Sequence, residues 1–233
     1  MKFAVIGAGV GSRLKDEGIL VPKPMIRVCG VPLTERILRI AARHGATSLH
    51  MIINSSFPEV RAYFESIDFG IPLDCQLLST PSSMHTLFAL APKLRGEPFC
   101  LTTVDAVFRE SEFQDFIRFA VSSKNADGVL AVTGFIYDEK PLCVDIDENQ
   151  TILGFMDTQG SLDWATGGIY YFSPRIFDEM DLALGSGVVR LRNFLRLLLR
   201  RGYVLRAFPF SKIIDVDHAS DIEEAERFLQ ESI

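Results

Sequence analysis

The sequence predicts an α/β protein, with a mixed, mostly parallel Rossmann-like sheet flanked by helices and a small antiparallel β insertion. Over residues 3–132, short apolar runs alternate with helical periodicity, which is typical of strands joined to parallel neighbours by crossover helices. Over residues 142–172, three strand-like runs follow one another without a helix, which indicates antiparallel pairing. No repeat, low-complexity tract or linker divides the chain, so a single domain over residues 1–233 is expected.

The parallel part begins with a buried strand at residues 3–6, which leads into a glycine-rich loop. The first long helix follows Pro32, because Leu33 and Ile37 fall on one helical face and Gly45 provides the stop. The same reasoning predicts further strands at 49–53, 73–77, 98–103 and 128–132, with helices between them at 58–65, 84–94 and 112–121.

The later part of the chain is predicted to add the antiparallel layer and to close the fold. Its three strands are expected at residues 142–146, 151–155 and 164–172, with a polar hairpin turn at 147–150. A helix over 188–201, a strand over 203–208, a short strand that ends near Val216 and an acidic helix that reaches Ile233 complete the prediction.

The bulk composition limits the kinds of partner. Of the 233 residues, 48% are hydrophobic and 23% are charged, which is ordinary for a globular domain with a packed core. The formal net charge of -6 argues against a nucleic-acid partner, because nothing global would attract a polyanion. An enzyme for anionic substrates would therefore need a local concentration of positive charge.

The cysteines and the apolar runs indicate a cytoplasmic protein. The four cysteines, Cys29, Cys75, Cys100 and Cys143, are widely spaced and form no Cys-x-x-Cys pair, so free thiols in a reducing compartment are expected. No apolar stretch approaches 18 residues, and the first run is too short for a signal peptide, so no membrane partner is expected.

Residues 7–13, Gly-Ala-Gly-Val-Gly-Ser-Arg, follow the first strand directly. Glycines at such a position allow backbone amides to approach a phosphate closely. A dinucleotide-binding loop would have a third glycine where this chain has Ser12, and a long helix where Pro22 and Pro24 lie. It would also have an acidic residue after the second strand, which is absent here. A dinucleotide-dependent oxidoreductase is therefore a remote alternative.

Lys23 lies between Pro22 and Pro24, ten residues after Arg13. The two proline rings fix two φ angles, so the lysine is presented on a stiff segment. A rigid lysine and a fork-shaped arginine beside one glycine-rich loop would supply the local positive charge that phosphate binding needs. Taken alone, Pro-Lys-Pro is equally compatible with a simple turn and a solvated lysine.

Residues 8–14 followed by 22–25 closely resemble the amino-terminal signature of the sugar-1-phosphate nucleotidyltransferase family, whose superfamily also contains cytidylyltransferases acting on phosphocholine and other small phosphates. The resemblance implies a nucleotide-diphospho-sugar transferase-like fold. It also implies that the loop wraps a nucleoside triphosphate, that Arg13 contacts the β and γ phosphates, and that Lys23 lies near the α phosphate. The loop residues to which this role is assigned are Ala8, Gly9, Gly11 and Ser12.

Two carboxylates are candidates to hold a magnesium ion, which is the usual means of neutralising charge in nucleotidyl transfer. Asp105 follows the apolar run 99–104, so it should project from the carboxyl end of a strand. The family has Gly-Asp here, whereas this chain has Val104 before the aspartate. The resemblance implies that Asp217 is the second metal ligand, and Asp215 is the alternative.

The family reads the base and the acceptor at two places where this sequence differs from its usual pattern. Ser82 and Ser83 lie where the family has a glycine-rich run that contacts the base, although Ser82 is equally suited to cap a helix. Residues 164–170 resemble the stretch that lines the acceptor pocket. Residues 157–158, Asp-Thr, stand where many members have Glu-Lys, so the lysine for the acceptor phosphate is missing; Lys212 is a candidate to replace it.

The sequence thus predicts a magnesium-dependent nucleotidyltransferase that moves a nucleoside monophosphate from a triphosphate to a small phosphorylated acceptor, such as a sugar 1-phosphate. The catalytic candidates are Arg13, Lys23 and Asp105. One alternative is a CTP-dependent enzyme for phosphocholine or another alcohol phosphate, and another is a nucleotide-binding protein without catalysis. The base, the acceptor and the oligomeric state remain open at this point.

Overall fold

A computed structural model describes residues 1–9, 12–136 and 140–231, without the side chain of Ser12. Gly11, one of the expected phosphate-binding residues, lies outside the described residues. The helices are α1 Ser12–Asp16, α2 Leu33–Arg43, α3 Pro58–Glu65, α4 Ser83–Leu94, α5 Glu110–Ser122, α6 Met180–Gly185, α7 Leu191–Arg200 and α8 Ala219–Gln230, with 3-10 segments at Lys23–Met25 and Pro174–Glu179. The strands are β1 Lys2–Gly7, β2 Arg27–Val28, β3 Val31–Pro32, β4 Ser48–Ile53, β5 Leu73–Leu77, β6 Phe99–Thr103, β7 Ala106–Val107, β8 Gly128–Thr133, β9 Cys143–Ile146, β10 Ile152–Met156, β11 Trp164–Phe172, β12 Leu205–Phe210 and β13 Ile214–Asp215.

In the described part of the chain, nine strands form the main sheet, in the order β10-β9-β11-β6-β1-β4-β5, with β8 and β12 continuing from β11. The pairs β6-β1, β1-β4, β4-β5 and β8-β12 are parallel. Strand β11 runs antiparallel to its neighbours β6, β8 and β9, and β9 and β10 form an antiparallel hairpin. The mostly parallel sheet and the antiparallel insertion are therefore confirmed.

Helices cover both faces of this sheet because its strands are apolar on both sides. In β1, Phe3 and Val5 pack into the core under α2, α3 and α5, whereas Ala4 and Ile6 pack into the core under α4 and α7. Burial of both faces explains why the central strands read as continuous apolar runs rather than alternating ones. A third, smaller core lies where α8 meets β2, β7 and β13.

The antiparallel strand β11 bends where it passes the carboxyl end of β6. Its pairing with β8 shifts between Thr166 and Tyr170, and Gly168 there has a φ of 72°. A Cβ atom on Gly168 would lie 2.8 Å from Thr103 Oγ1, so only glycine permits this approach. The bend brings the middle of β11 to the edge of the sheet where β1 and β6 end.

The remaining predictions agree with the structure except at short or weakly apolar segments. Helix α7 begins three residues later than expected, and no element was predicted at α1, α6, β2, β3 or β7. The four cysteines are free, and Cys29 alone is exposed. Among the described residues, no helix has the length and the apolar character needed to cross a membrane.

The contact between α2 and α5 predicts a pH-dependent contribution to stability. Glu110, the first residue of α5, accepts hydrogen bonds of 2.8 Å from Arg43 Nε and Nη2, and its Oε1 lies 2.8 Å from His44 Nε2. The bonds from Arg43 lower the pKa of Glu110 from 4.5 to about 2. Because the folded-state pKa is the lower one, this stabilisation is present above about pH 4.5 and is lost as the pH falls towards 2.

We therefore expect Glu110→Gln to lower the free energy of unfolding by about 1 kcal/mol at pH 7, a value that allows for solvent screening of a partly exposed pair. The difference from the unmutated protein should shrink as the pH falls below 4 and should be nearly absent near pH 2. Urea unfolding at several pH values measures it, and a difference that is the same at pH 7 and pH 2.5 would contradict the interpretation.

Candidate active site

Lys23, Asp105 and Asp217 meet at the carboxyl end of β6, although they are far apart in sequence. Lys23 Nζ lies 2.5 Å from Asp105 Oδ2 and 2.5 Å from Asp217 Oδ1. Pro22 and Pro24 hold the lysine in a 3-10 turn with its side chain 13% exposed, so it is not a solvated turn residue. The two carboxylates thus converge on one cation position.

The backbone around Asp105 is fixed from two sides. Thr34 Oγ1 donates to Val104 O at 3.2 Å, and Val216 N donates to Asp105 O at 3.1 Å. The second bond continues the pairing of β13 with β7 and joins the segment after Asp105 to the segment before Asp217. The distance between the two carboxylates is therefore set by strand pairing.

Asp217 is held by side chains from both ends of the chain. Arg13 Nη1 donates to Asp217 Oδ2 at 2.5 Å, and the Asp217 amide donates to Asp221 Oδ2 at 2.9 Å. Glu17, just after α1, accepts a 2.8 Å bond from Ala219 N at the start of α8, and its other oxygen lies 2.5 Å from His218 Nδ1. These contacts connect the segment that follows the glycine-rich loop to the start of α8.

The charges in this cluster perturb one another strongly. Burial alone would lower the pKa of Lys23, but the negative charges of Asp105 and Asp217 outweigh burial and raise it, so the lysine stays protonated. Burial alone would raise the pKa of Asp105, but the ammonium of Lys23 lowers it, so the carboxylate stays ionised. The cluster is an ionised network at neutral pH.

The glycine-rich loop is anchored by Asn54, which the sequence reasoning missed. Asn54 Nδ2 donates to Ala8 O at 2.7 Å, and its backbone N donates to Gly7 O at 3.2 Å. Its side chain is buried, and it follows β4, the strand parallel to β1. A polar residue directly after an apolar strand run is the signal that could have identified it.

A cleft of about 470 Å³ lies between this loop and α4. It is lined by Ala8, Gly9, Ser82, Ser83 and by the charged cluster of Arg13, Lys23, Asp105 and Asp217. These described candidates for nucleotide binding therefore share one cavity, which we name the nucleotide cleft. A triphosphate that followed the loop would lie beside Lys23 and both carboxylates.

The two serines also have structural contacts. Ser82 is the N-cap residue of α4, but its side chain makes no capping bond; it contacts Val189 O and lies 2.9 Å from His85 Nδ1. Ser83 Oγ accepts a bond from Leu191 N at 3.3 Å. Both hydroxyls thus connect the start of α4 to the segment that leads into α7.

A second cleft, of about 370 Å³, lies on the other side of Arg13 and Asp217, and these are the two residues that line both cavities. We name it the acceptor-side cleft. The bent part of β11 contributes Ala165, Thr166 and Gly167 to its wall, three of the residues 164–170 for which the resemblance implies an acceptor pocket. Two ligands in the two clefts would therefore meet at the charged cluster.

Three other sequence candidates have different surroundings. Asp215 lines the acceptor-side cleft and does not share the Lys23 cation position with Asp105. Lys212 pairs with Glu224 and lies 3.8 Å from the centre of the Phe135 ring, outside the lining of both clefts. Lys212 thus contacts two residues that line the acceptor-side cleft, Glu224 and Phe135, and its assignment to the acceptor phosphate stays a prediction.

Asp157, which stands in the position of the missing Glu-Lys pair, faces α7 instead. Its Oδ1 lies 3.0 Å from Arg192 Nη1 and 2.9 Å from Arg196 Nη2. Asp157 lines neither of the two clefts. The part of the chain that supplies a lysine in many sugar-specific enzymes is thus engaged in a surface ion-pair network.

The arrangement of Asp105 and Asp217 fits a hard divalent cation. Asp105 Oδ1 is buried and makes no hydrogen bond of ordinary geometry with the described residues, although Thr103 and the Asp105 amide lie near the carboxylate, and one oxygen of each carboxylate already faces a single cation. No group of three or more His, Cys, Asp or Glu side chains in the described residues could hold a metal. Two carboxylates, completed by phosphate oxygens and water, are what magnesium at nucleotide sites uses.

The fold and the site define a class: an α/β protein in which two carboxylates and two basic side chains lie beside a glycine-rich loop, between adjoining clefts. A family model described as "Nucleotidyl transferase" matches residues 3–232. The chain therefore belongs to this family, and the resemblance to sugar-1-phosphate nucleotidyltransferases is confirmed.

Two relatives illustrate the range of similar proteins. Mannose-1-phosphate guanyltransferase beta-A of Xenopus laevis is 24% identical over 190 residues, which cover 78% of this chain and 52% of the relative. UTP--glucose-1-phosphate uridylyltransferase AglF of Haloferax volcanii is 24% identical over 239 residues, covering 99% and 97% of the two chains. The chain thus spans about half the length of several curated relatives and nearly the whole length of another.

Solved structures confirm the fold. The inositol-1-phosphate CTP transferase from T. maritima superposes with a TM-score of 0.82 at 17% identity, covering 100% of this chain and 98% of that one. A putative glucose-1-phosphate thymidylyltransferase from Bacillus anthracis gives 0.85 at 16% identity, covering 98% and 94%. Both agree with the mixed sheet described above.

Proposed function

We propose that this protein transfers a nucleoside monophosphate from a nucleoside triphosphate to a small phosphorylated acceptor and releases pyrophosphate. The observation that carries the proposal is the convergence of Lys23, Arg13, Asp105 and Asp217 at the junction of two clefts. One cleft begins at the glycine-rich loop, and the other is lined by the family's acceptor stretch. The reacting groups of two substrates would meet at the charged cluster.

The proposed reaction needs positioning and charge neutralisation rather than a covalent intermediate. An acceptor phosphate oxygen attacks the α phosphorus, the new P–O bond forms, and the bond to the bridging oxygen breaks, so that pyrophosphate leaves with the electron pair. Lys23 stabilises the charge at the α phosphate, and Arg13 binds the β and γ phosphates. No general base is needed, because a phosphate acceptor is already ionised at neutral pH.

Magnesium is proposed as the cofactor, held by Asp105 and Asp217, and when bound it neutralises charge on the phosphates. Gly9 contributes by allowing the backbone to approach the triphosphate, since a Cβ atom there would meet nothing within 4 Å in the cleft. Gly11, Ser12, Ser82 and Ser83 complete the proposed nucleotide-binding set. We propose the cytoplasm as the location.

A cyclic polyol phosphate, such as a sugar or cyclitol 1-phosphate, is the acceptor class that we favour. The acceptor-side cleft is lined by the carboxylates of Asp215, Asp221 and Glu224. Lys212 and Arg227 already bind the two oxygens of Glu224, and backbone amides bind Asp221 Oδ2, so Asp215 and the other oxygen of Asp221 are the proposed hydrogen-bond acceptors for hydroxyls. Phosphocholine with CTP is the runner-up, because the acceptor lysine is missing. It is less favoured because Lys212 already lies over the ring of Phe135, an aromatic residue that lines this cleft.

A thermal-shift screen with magnesium and CTP, UTP, GTP, ATP, dTTP or NAD tests the proposal. A ligand at about 100 times its dissociation constant adds about 2.7 kcal/mol, which should raise the Tm of a domain of this size by about 5 to 10 °C. We expect one triphosphate to stabilise the protein only with magnesium, and then to support pyrophosphate release with one acceptor phosphate. Stabilisation by NAD alone would contradict the proposal, and magnesium-dependent binding with no turnover on any acceptor would favour a non-catalytic nucleotide-binding protein.

A further inference from the structure

A third cavity, of about 390 Å³, lies between α2, the start of α5 and the end of α8. Four arginines line it, Arg36, Arg39 and Arg43 from α2 and Arg109 from the residue before α5, and we name it the arginine pocket. Its described lining shares no residue with the nucleotide cleft or the acceptor-side cleft. In a protein with a net charge of -6, this concentration of positive charge is a local feature.

The four arginines differ in whether a carboxylate neutralises them. Arg39 pairs with Glu35, and Arg43 pairs with Glu110. Arg36 and Arg109 have no carboxylate within ion-pair distance among the described residues, and the Nε atom of each is buried without a hydrogen-bond partner. Both side chains are partly buried, and a partly buried guanidinium group without a counter-charge is unfavourable because it loses part of its hydration.

The other contacts of these two arginines position them without neutralising them. Arg36 Nη2 donates to Val28 O at 3.1 Å, and burial lowers the pKa of Arg36. The guanidinium of Arg109 stacks on the Phe228 ring, 4.6 Å from its centre, which fixes the plane of the fork. Both charges are therefore held in place at the wall of one cavity.

The amino terminus of α5 adds to the positive potential of the pocket. Arg109 is the N-cap residue of this 13-residue helix and makes no side-chain capping bond, and Glu110 and Ser111 of the first turn line the pocket. The helix dipole is positive at this end. The carboxylate of Glu110 also lies in the lining, but Arg43 and His44 bind both of its oxygens.

We propose that the arginine pocket is a second anion site, which binds a phosphate or pyrophosphate group separately from the nucleotide cleft. The flat forks of Arg36 and Arg109 suit the oxygens of a phosphate, and a multiply charged anion would compensate both charges at once. The group belongs to a small molecule, either the free ion or a phosphorylated metabolite, because the cavity is concave and of ligand size.

Calorimetric titration with inorganic pyrophosphate, without magnesium, tests this site in the full-length protein. We expect R36Q/R109Q to weaken one binding event by at least about tenfold, because two charge-assisted contacts are lost. The control, Arg118→Gln, removes one guanidinium charge from an exposed position on α5 and should bind as the unmutated protein does. Equal binding by R36Q/R109Q and the control would overturn the proposal.

A parallel titration of Lys23→Ala separates this site from the proposed active site. We expect this variant to keep the binding event that R36Q/R109Q loses. If all pyrophosphate binding instead disappears with Lys23→Ala, the anion belongs to the nucleotide cleft, and the second site is refuted while the proposed function stands. If Lys23→Ala has no effect and R36Q/R109Q does, the second site stands and the proposed function is weakened.

Four further measurements guard against misfolding, identify the source of the anion and test for contact between copies of the chain. R36K/R109K keeps both charges, so its affinity for pyrophosphate should lie between those of the unmutated protein and R36Q/R109Q. Crystals of the unmutated protein soaked in tungstate should show a tungstate peak between Arg36 and Arg109. Titration with inorganic phosphate should give weaker binding than pyrophosphate if two phosphate groups fit. A change of sedimentation coefficient in R36Q/R109Q without loss of pyrophosphate binding would instead assign these arginines to contact between copies of the chain, and would overturn the proposal.

Discussion

Asp105→Asn is expected to lower kcat for nucleotidyl transfer by at least about 10³-fold while the protein stays folded. The substitution keeps the size of the side chain and removes the negative charge that faces Lys23 Nζ at 2.5 Å. Without that charge, the proposed magnesium ion has only Asp217 as a protein ligand. The backbone bonds from Val216 to Asp105 and from Thr34 to Val104 do not involve the carboxylate, so the local structure should persist.

Steady-state pyrophosphate release measures this effect, and circular dichroism and a thermal scan confirm the fold. Asp115→Asn is the matched control, because Asp115 lies on the exposed face of α5 and pairs only with Arg118 among the described residues. The control should retain the activity of the unmutated protein. Full activity of Asp105→Asn would remove Asp105 from the proposed mechanism and would make Asp215 a candidate for the missing carboxylate.

Lys23→Met is expected to reduce both activity and stability. Lys23 is the only cation within ion-pair distance of Asp105 in the described part of the chain, and it also holds Asp217. Its removal leaves two neighbouring carboxylates without their shared counter-charge, which should lower the free energy of unfolding by about 3 kcal/mol. Activity should fall by about 10² to 10³-fold, because the proposed charge stabilisation at the α phosphate is lost.

The stability effect also tests whether the carboxylates form a metal site. In Lys23→Met, magnesium at millimolar concentration should restore part of the lost Tm, because a divalent cation can replace the ammonium between Asp105 and Asp217. Lys93→Met, which removes an exposed lysine paired with Asp74, should show neither the loss nor the rescue. If Lys23→Met has the Tm of the unmutated protein, or if magnesium does not change its Tm, the result would argue against a shared cation position.

The double variant Lys23→Met/Asp105→Asn separates the two roles of the lysine. Because the buried carboxylate is then absent, the double variant should be more stable than Lys23→Met alone. Its activity should stay low, because both proposed catalytic groups are missing. If the stability losses of Lys23→Met and Asp105→Asn simply add up in the double variant, the contact between Lys23 and Asp105 contributes little to the fold.

Much of the fold could be predicted from sequence because its signals are local. Burial of both sheet faces makes the strands continuous apolar runs, and glycines and prolines mark where helices and loops end. Most of the shortest elements were not predicted, because they contain too few residues to carry such a local signal. A strand of two residues such as β7 carries no periodicity, and it forms because the larger sheet brings the segment after Asp105 beside β13, which was predicted.

The candidate site was predicted residue by residue, but its geometry was not. The prolines around Lys23 and the position of Asp105 after an apolar run are features of a few consecutive residues, so the sequence alone indicated both. By contrast, Asn54 and Glu17 have no motif that marks them, since their roles depend on contacts with Ala8 and with the start of α8. The contacts of the Ser82 and Ser83 hydroxyls with the backbone at the start of α7 likewise depend on packing.

By itself, then, the sequence determined the order of the elements, the family and the residues with the required charges, because periodicity, turn residues and motifs act over short stretches of chain. Only the tertiary structure decided that Lys23 lies between Asp105 and Asp217, the latter 194 positions later in the chain, and that Asp157 pairs with arginines of α7. These contacts depend on strand order and on the bend at Gly168, which bring the ends of β6, β11 and β13 to one edge of the sheet. Such distances arise from long-range packing, which no local pattern encodes.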